Sequence, residues 1–154
     1  MVAQPVTRRI DTEILIQASP ERVWAVLTDF AAYPEWNPFI VSLEGEPEWG
    51  ERLRVRIRTG DGKEHVFKPV VLQATAPTRL RWLGRVGVPG LFDGEHDFEL
   101  VSQGGAMLLH QRETFQGFLV PLLWRQVGSA TLAGFEAMNR ALKARAERAA
   151  GGAP

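Results

Sequence analysis

The chain has 154 residues, 45% of them apolar and 23% charged, with 18 Lys and Arg balancing 18 Asp and Glu and no cysteine. That length predicts a single domain, 1–154, with a core that needs no staples. Zero net charge removes any global electrostatic argument for nucleic acid or an anionic membrane, and a cysteine-free chain has no disulfide, thiolate metal site or cysteine nucleophile.

Residues 1–8 read as a loose lead-in, without the apolar run of a secretion signal. Ile10, Thr12, Ile14 and Ile16 alternate with Asp11 and Glu13, which predicts a half-buried strand over 9–18. Ser19-Pro20-Glu21 starts a helix: the hydroxyl caps exposed amides, proline suits the first helical position, and the carboxylate complements the dipole. Val23, Trp24, Val26 and Leu27 form its apolar side, and Asp29 opens a second helical turn that stops near Tyr33-Pro34. A strand over 39–46 ends at Glu46-Pro47. Leu53, Val55, Ile57 and Thr59 then alternate with Arg52, Arg54, Arg56 and Arg58, a period of two that sorts apolar and cationic side chains onto opposite faces. Gly60-Asp61-Gly62 is a hairpin turn. The return strand runs over 64–75, a further strand begins at Leu80 and Trp82, and strands over 92–102 and 106–116 flank a Gly104-Gly105 turn.

Leu123, Val127, Thr131, Phe135, Met138 and Leu142 recur at helical spacing, so Leu122 to about Ala149 is one long amphipathic helix. Gly151–Pro154 is a frayed tail. Strands, two short helices after the first of them, and a terminal helix make an α+β domain. A strongly curved antiparallel sheet cannot close its own concave side, and this helix is the element long enough to plug it.

Ser19-Pro20-Glu21-Arg22-Val23-Trp24, then Asp29 with Tyr33, Trp36 and Pro38, then Leu80-Arg81-Trp82 and His96-Asp97-Phe98-Glu99-Leu100, and Gly104-Gly105 before the last strand, give a chain that resembles the START-like (SRPBCC) superfamily in its polyketide cyclase/dehydrase branch, over roughly residues 10 to 148. The resemblance implies a helix-grip fold: a curved antiparallel sheet wrapped around a long C-terminal helix, with a cavity between them for an apolar small molecule. It also implies that the loop at Asp29–Pro38 borders the cavity mouth, which brings Trp36 into the ligand set. The superfamily holds carriers, cyclases, lipid-transfer domains and regulatory proteins, so function has to be argued from the pocket.

Alternation selects Val55, Ile57, Phe67, Pro69, Val71, Leu80, Trp82, Phe98, Leu100 and Leu108 as inward residues, and the helix adds Thr131, Phe135 and Met138. His96 and His110 are the polar candidates, on adjacent strands and both expected inward, as hydrogen-bonding or acid/base groups. A bulge near Arg112 would carry Glu113 and Phe115 to the inner face, where an apolar setting raises a carboxyl pKa. The expected catalytic set, for an enzyme, is His110, His96 and Glu113. Each of these also has a plain structural alternative, a satisfied core histidine or a rim ion pair.

No metal and no cofactor is expected. His65, His96 and His110 are scattered, and Glu95-His96-Asp97 alternates faces on a strand. Gly84, Gly87 and Gly90 do not match a dinucleotide fingerprint, and no nucleophile elbow is present. The arginine row reads as a solvated outer face paired with acidic side chains of neighbouring strands rather than a nucleic-acid surface. Phe118 to Trp124 is apolar on every side. It is open to two readings, a buried hinge or a lid or patch for transient contact with membrane or partner. No stretch approaches the ~18 apolar residues of a membrane span, and a cytoplasmic location is expected. Three functions remain open: a binder of a hydrophobic small molecule or lipid, a cyclase/dehydrase-type enzyme, and a regulatory or chaperone-like partner protein.

Overall fold

The structure, a computed structural model, describes residues 5–150. Residues 1–4 of the expected lead-in and the glycine-rich tail lie outside the described residues, and residues 6–8, also expected to be loose, already belong to the first strand. The chain runs β1 (Val6–Ile16), α1 (Pro20–Thr28), a 3-10 turn (Phe30–Ala32), α2 (Tyr33–Trp36), β2 (Ile40–Glu44), β3 (Arg54–Arg58), β4 (Glu64–Phe67), β5 (Val70–Thr75), β6 (Arg79–Val86), β7 (Phe92–Gln103), β8 (Ala106–Gly117) and α3 (Val120–Ala150). The antiparallel strands form a five-stranded sheet in the order β1-β8-β7-β6-β5 and a three-stranded sheet in the order β2-β3-β4. This is the helix-grip fold expected from the sequence, with α1 and α2 between the first two strands.

Local chemistry sets the elements. Ser19 caps α1 by accepting a bond from the Arg22 amide at 3.1 Å, and Pro20 opens the first turn. The return strand expected over 64–75 is two strands. Pro69 lacks the N–H that would continue the ladder, so the chain leaves β4 and re-pairs as β5 beside β6. The two sheets stay stitched there: the Leu53 amide donates to the Pro69 carbonyl and the Val71 amide to the Glu51 carbonyl, both at 2.8 Å. A second irregularity between Ile40 and Ser42 bends β2.

The concave side holds the core. Phe135, Met138, Leu142 and Ala146 of α3 are fully buried, together with Ile16, Leu80, Phe98 and Leu109 from the sheet. The outer face of the large sheet is an ion-pair lattice. Arg79 bonds Asp97 through two nitrogens at 2.9 and 3.0 Å, Arg81 meets Glu95, and Arg112 reaches Glu99, Asp97 and Asp11. On the small sheet, Arg56 and Arg58 share Glu64 and Arg54 faces Glu44, which places these three arginines of the row outward against acidic neighbours, as expected, while Arg52 donates to the Lys68 carbonyl instead.

Candidate functional site

A cavity of about 640 Å³ lies between the sheet and the N-terminal half of α3. Its walls are apolar: Phe39, Val55, Phe67, Trp82, Phe92 and Phe115 surround it, and Val127 and Thr131 cover it from the helix. Exposed Asp61, Lys63, His65 and Gln126 form the rim. The side chain of Asn37 accepts bonds from the amides of Phe39 at 3.0 Å and Ile40 at 2.9 Å. That turn aims Phe39 and Ile40 at the cavity.

Val55, Ile57, Phe67, Trp82, Thr131, His96 and Glu113 all line the cavity. Val71, Phe98, Leu100, Phe135 and Met138 are buried core instead. The reason is a displacement along α3: its second half fills the core, and the space opens one to two turns earlier, beside Val127 and Thr131. Trp36 packs edge-on against Tyr33, centroids 5.0 Å apart, and is not a cavity residue.

The last strand carries the clearest correction. β8 pairs without interruption from Ala106 to Gly117, so there is no bulge at Arg112. Leu109, Gln111, Glu113 and Phe115 point inward, while Leu108 and His110 sit on the outer face. His110 faces Glu13 there, Nδ1 to Oε2 3.5 Å. The expected pairing of His96 with His110 inside the cavity does not occur. His96 and Glu113 are register partners instead.

These two residues form the polar end of an apolar cavity. His96 is sandwiched by aromatic rings: Phe98 stacks on it at 4.4 Å, Phe135 lies at 4.8 Å and Trp82 at 5.0 Å. Its Nε2 bonds Gln111 Oε1 at 2.9 Å. Behind Gln111 runs a buried relay that sequence reading missed. Gln111 Nε2 donates to Asn139 Oδ1 at 2.6 Å, Asn139 Nδ2 donates to Thr12 Oγ1 at 2.9 Å, and the Thr12 hydroxyl donates to the Gln111 carbonyl at 2.8 Å. Burial pushes the His96 imidazolium down to about 4, against the opposing pull of the Gln111 bond. Burial also pushes the Glu113 carboxyl up to about 8. At neutral pH both are therefore uncharged, and the 3.7 Å between His96 Nδ1 and Glu113 Oε1 is not an ion pair.

Among the described residues, no group of three His, Asp or Glu side chains is placed to hold a metal ion, and no helix is long and apolar enough to cross a membrane. The Phe118–Trp124 segment is divided. Val120 is fully buried and Leu119, Leu123 and Trp124 pack on the core, but Phe118 is 54% and Leu122 78% exposed.

Curved sheet, gripped helix and internal cavity define a helix-grip protein. Residues 7–147 match the family described as polyketide cyclase/dehydrase and lipid transport, and the chain belongs to it. No curated protein sequence matches. Among solved structures, the di-domain ARO/CYC StfQ from the steffimycin biosynthetic pathway superposes with a TM-score of 0.76 at 16% identity, over 94% of this chain and 52% of that one. The chain thus spans about half the length of the di-domain proteins it matches. A norcoclaurine synthase point mutant from Thalictrum flavum, in complex with a transition-state analogue, gives 0.73 at 16% identity over 96% and 99% of the two chains. A protein from Thermus thermophilus gives 0.72 at 20% identity over 92% and 99%. At these identities the likeness is one of fold.

Proposed function

We propose that the protein binds a hydrophobic small molecule or lipid in the cavity between sheet and α3. The observation that carries this is the 640 Å³ space with aromatic and aliphatic walls, an exposed polar rim and a polar inner end at His96 and Glu113, the pattern of small-molecule sites in general. Membership of a family described by lipid transport and cyclase/dehydrase chemistry supports it. The test is uptake of the neutral fluorophore N-phenyl-1-naphthylamine. Thr131→Trp puts an indole into the space from a half-buried helix position and is expected to weaken uptake by tenfold or more in a folded protein. Unchanged affinity in a folded Thr131→Trp protein sinks the reading. Native mass spectrometry of the protein from its host then identifies what co-purifies.

A second reading is a cyclase/dehydrase-type enzyme, favoured by the neutral Glu113 acid beside neutral His96 at the inner end of the cavity. Glu113 would protonate a substrate oxygen and His96 would take a proton. General acid/base groups contribute roughly 10²–10⁴-fold in rate. Turnover of a polycarbonyl substrate that survives Glu113→Gln at full rate removes this reading and leaves the binder.

A further inference from the structure

The direction of every hydrogen bond in the buried relay is fixed from its far end. A backbone carbonyl only accepts, so the Thr12 hydroxyl spends its one proton on the Gln111 carbonyl. Thr12 Oγ1 must then accept from Asn139, which presents its NH₂. Asn139 Oδ1 is left to accept from the Gln111 NH₂. Gln111 Oε1 therefore faces His96 as an acceptor, and His96 Nε2 must carry the proton. The reverse polarity would leave two oxygens, Thr12 Oγ1 and the Gln111 carbonyl, 2.8 Å apart with no proton between them.

A neutral imidazole protonated at Nε2 has a lone pair at Nδ1, and Nδ1 lies 3.7 Å from Glu113 Oε1. The gap is too long for a direct hydrogen bond and short enough for one oxygen to touch both groups. Gly94, on the same inner face, leaves the Glu113 carboxyl room to lie against the sheet. We infer that this end of the cavity recognises a hydroxyl, phenolic or alcoholic, on an otherwise apolar ligand: its oxygen accepts from the Glu113 carboxylic acid and its hydrogen goes to His96 Nδ1. A ketone or ether satisfies only Glu113, and a hydrocarbon neither. Gln111, Asn139 and Thr12 are positioning residues that hold the tautomer. The inference rests on the binding reading above and names the group that the ligand presents.

Two measurements test it. Ring ¹⁵N NMR in a His65→Gln/His110→Gln background, where His96 is the one histidine left, is expected to show Nε2 protonated and Nδ1 bare at pH 7. An Nδ1-protonated ring overturns the inference. Calorimetry then compares 2-naphthol, 2-methoxynaphthalene and naphthalene. The naphthol is expected to bind about tenfold tighter than 2-methoxynaphthalene, the worth of one additional hydrogen bond, and 2-methoxynaphthalene up to about tenfold tighter than naphthalene, which makes none. Glu113→Leu should erase the advantage of 2-methoxynaphthalene over naphthalene and leave the naphthol ahead by its His96 bond alone, about tenfold, whereas Glu113→Gln, whose amide N–H also donates, should keep most of the wild-type order. Equal binding of all three probes to the wild type overturns the hydroxyl assignment alone. Absence of binding by all three overturns the cavity reading with it.

Discussion

The Glu113 carboxyl occupies the space that a side chain at residue 94 would take: a Cβ on Gly94 would collide with Glu113 Oε2. The two residues sit on neighbouring strands, with Gly94 opposite Phe115 and His96 opposite Glu113. The glycine thus serves no turn. It makes room for an acid that would otherwise project into the cavity.

Gly94→Ala is therefore expected to separate function from stability. The methyl group meets the far end of a flexible side chain, so the fold should lose less than ~1 kcal/mol. The carboxyl must move, and affinity for 2-naphthol should fall about tenfold if its hydrogen bond is lost. Urea denaturation and calorimetry on the same preparation check both halves. Unchanged affinity would show that the carboxyl does not need its place over residue 94.

The two shifted pKa values act on stability in different pH windows. Glu113 in the folded state binds its proton up to about pH 8, while the unfolded chain releases it near 4.5. Between these values the folded state holds more protons, so stability falls as pH rises, and it levels off above 8. His96 is pushed down to about 4 from 6.5. In that lower window the unfolded chain holds more protons, and stability rises with pH. The terms oppose each other from about 4.5 to 6.5, and only Glu113 acts above. Wild-type stability should therefore drop between pH 6.5 and 8, by on the order of 1 kcal/mol per unit at most. Glu113→Gln should lack that drop. Parallel slopes for the two proteins in urea melts would show that Glu113 is ionised throughout.

Asn139 is the middle of the relay, and Asn139→Leu keeps its branching at Cγ while removing both of its bonds. The Gln111 amide, fully buried, then has no acceptor. The expected cost is about 1–3 kcal/mol, read as a lower urea midpoint with an unchanged slope. A stability within ~0.5 kcal/mol of wild type would mean that the relay is dispensable to the fold.

Most of the fold was legible because it is written in periodic patterns. The alternation of Arg54–Arg58 and the Leu123–Leu142 stripe are each several residues long and state which face is buried. The site was legible only in part, and β8 shows why. Its residues 106–116 offer apolar side chains in both phases, Leu108 in one and Leu109 in the other, so alternation alone does not choose. The turn does. A two-residue turn at Gly104-Gly105 pairs Gln103 with Ala106, which makes even-numbered residues of β7 share a face with odd-numbered residues of β8. Carried down the hairpin, that register sets Glu113 opposite His96 and sends His110 outward. Gln111 was concealed by the same error. Asn139 lies on the flank of an apolar helical stripe and reads as a surface residue until its partner is known. The position of the cavity along α3 has no local signature, because it depends on which facing side chains fall short of filling the space.

Gly134 gives a case where helix propensity and packing disagree. Replacing an interior helical glycine by alanine ordinarily stabilises by ~1 kcal/mol. Here the added methyl would run into the ring of Phe39, which is itself held edge-on to Phe135 at 5.8 Å and fixed at its backbone by Asn37. The ring is blocked toward Phe135, and the one open direction is toward the cavity that it lines. Overpacking costs about 1–3 kcal/mol, so Gly134→Ala should be destabilising by up to about 2 kcal/mol net, at most roughly 8 °C in Tm. A rise in Tm would show that Phe39 can swing aside into the cavity.

The corrected register of β8 is open to a direct check at His110. Sequence alternation alone makes this residue the first choice for acid/base work inside the pocket. The structure instead sets it on the outer face, its Nδ1 3.5 Å from Glu13 and its neighbours the Arg112 and Glu99 of the ion-pair lattice. His110→Gln keeps size and hydrogen bonding. It removes only a partly exposed histidine–carboxylate contact, of a kind worth about 0–1 kcal/mol. Affinity for N-phenyl-1-naphthylamine should stay within about twofold of wild type, and the urea midpoint should move by no more than that small contact implies. Glu113→Leu, three residues along the same strand, should by contrast narrow the affinity gap between hydroxyl and hydrocarbon probes. If instead His110→Gln narrowed that gap and Glu113→Leu did not, β8 would have to be shifted by one residue in solution. Every inward side chain of that strand would then exchange faces.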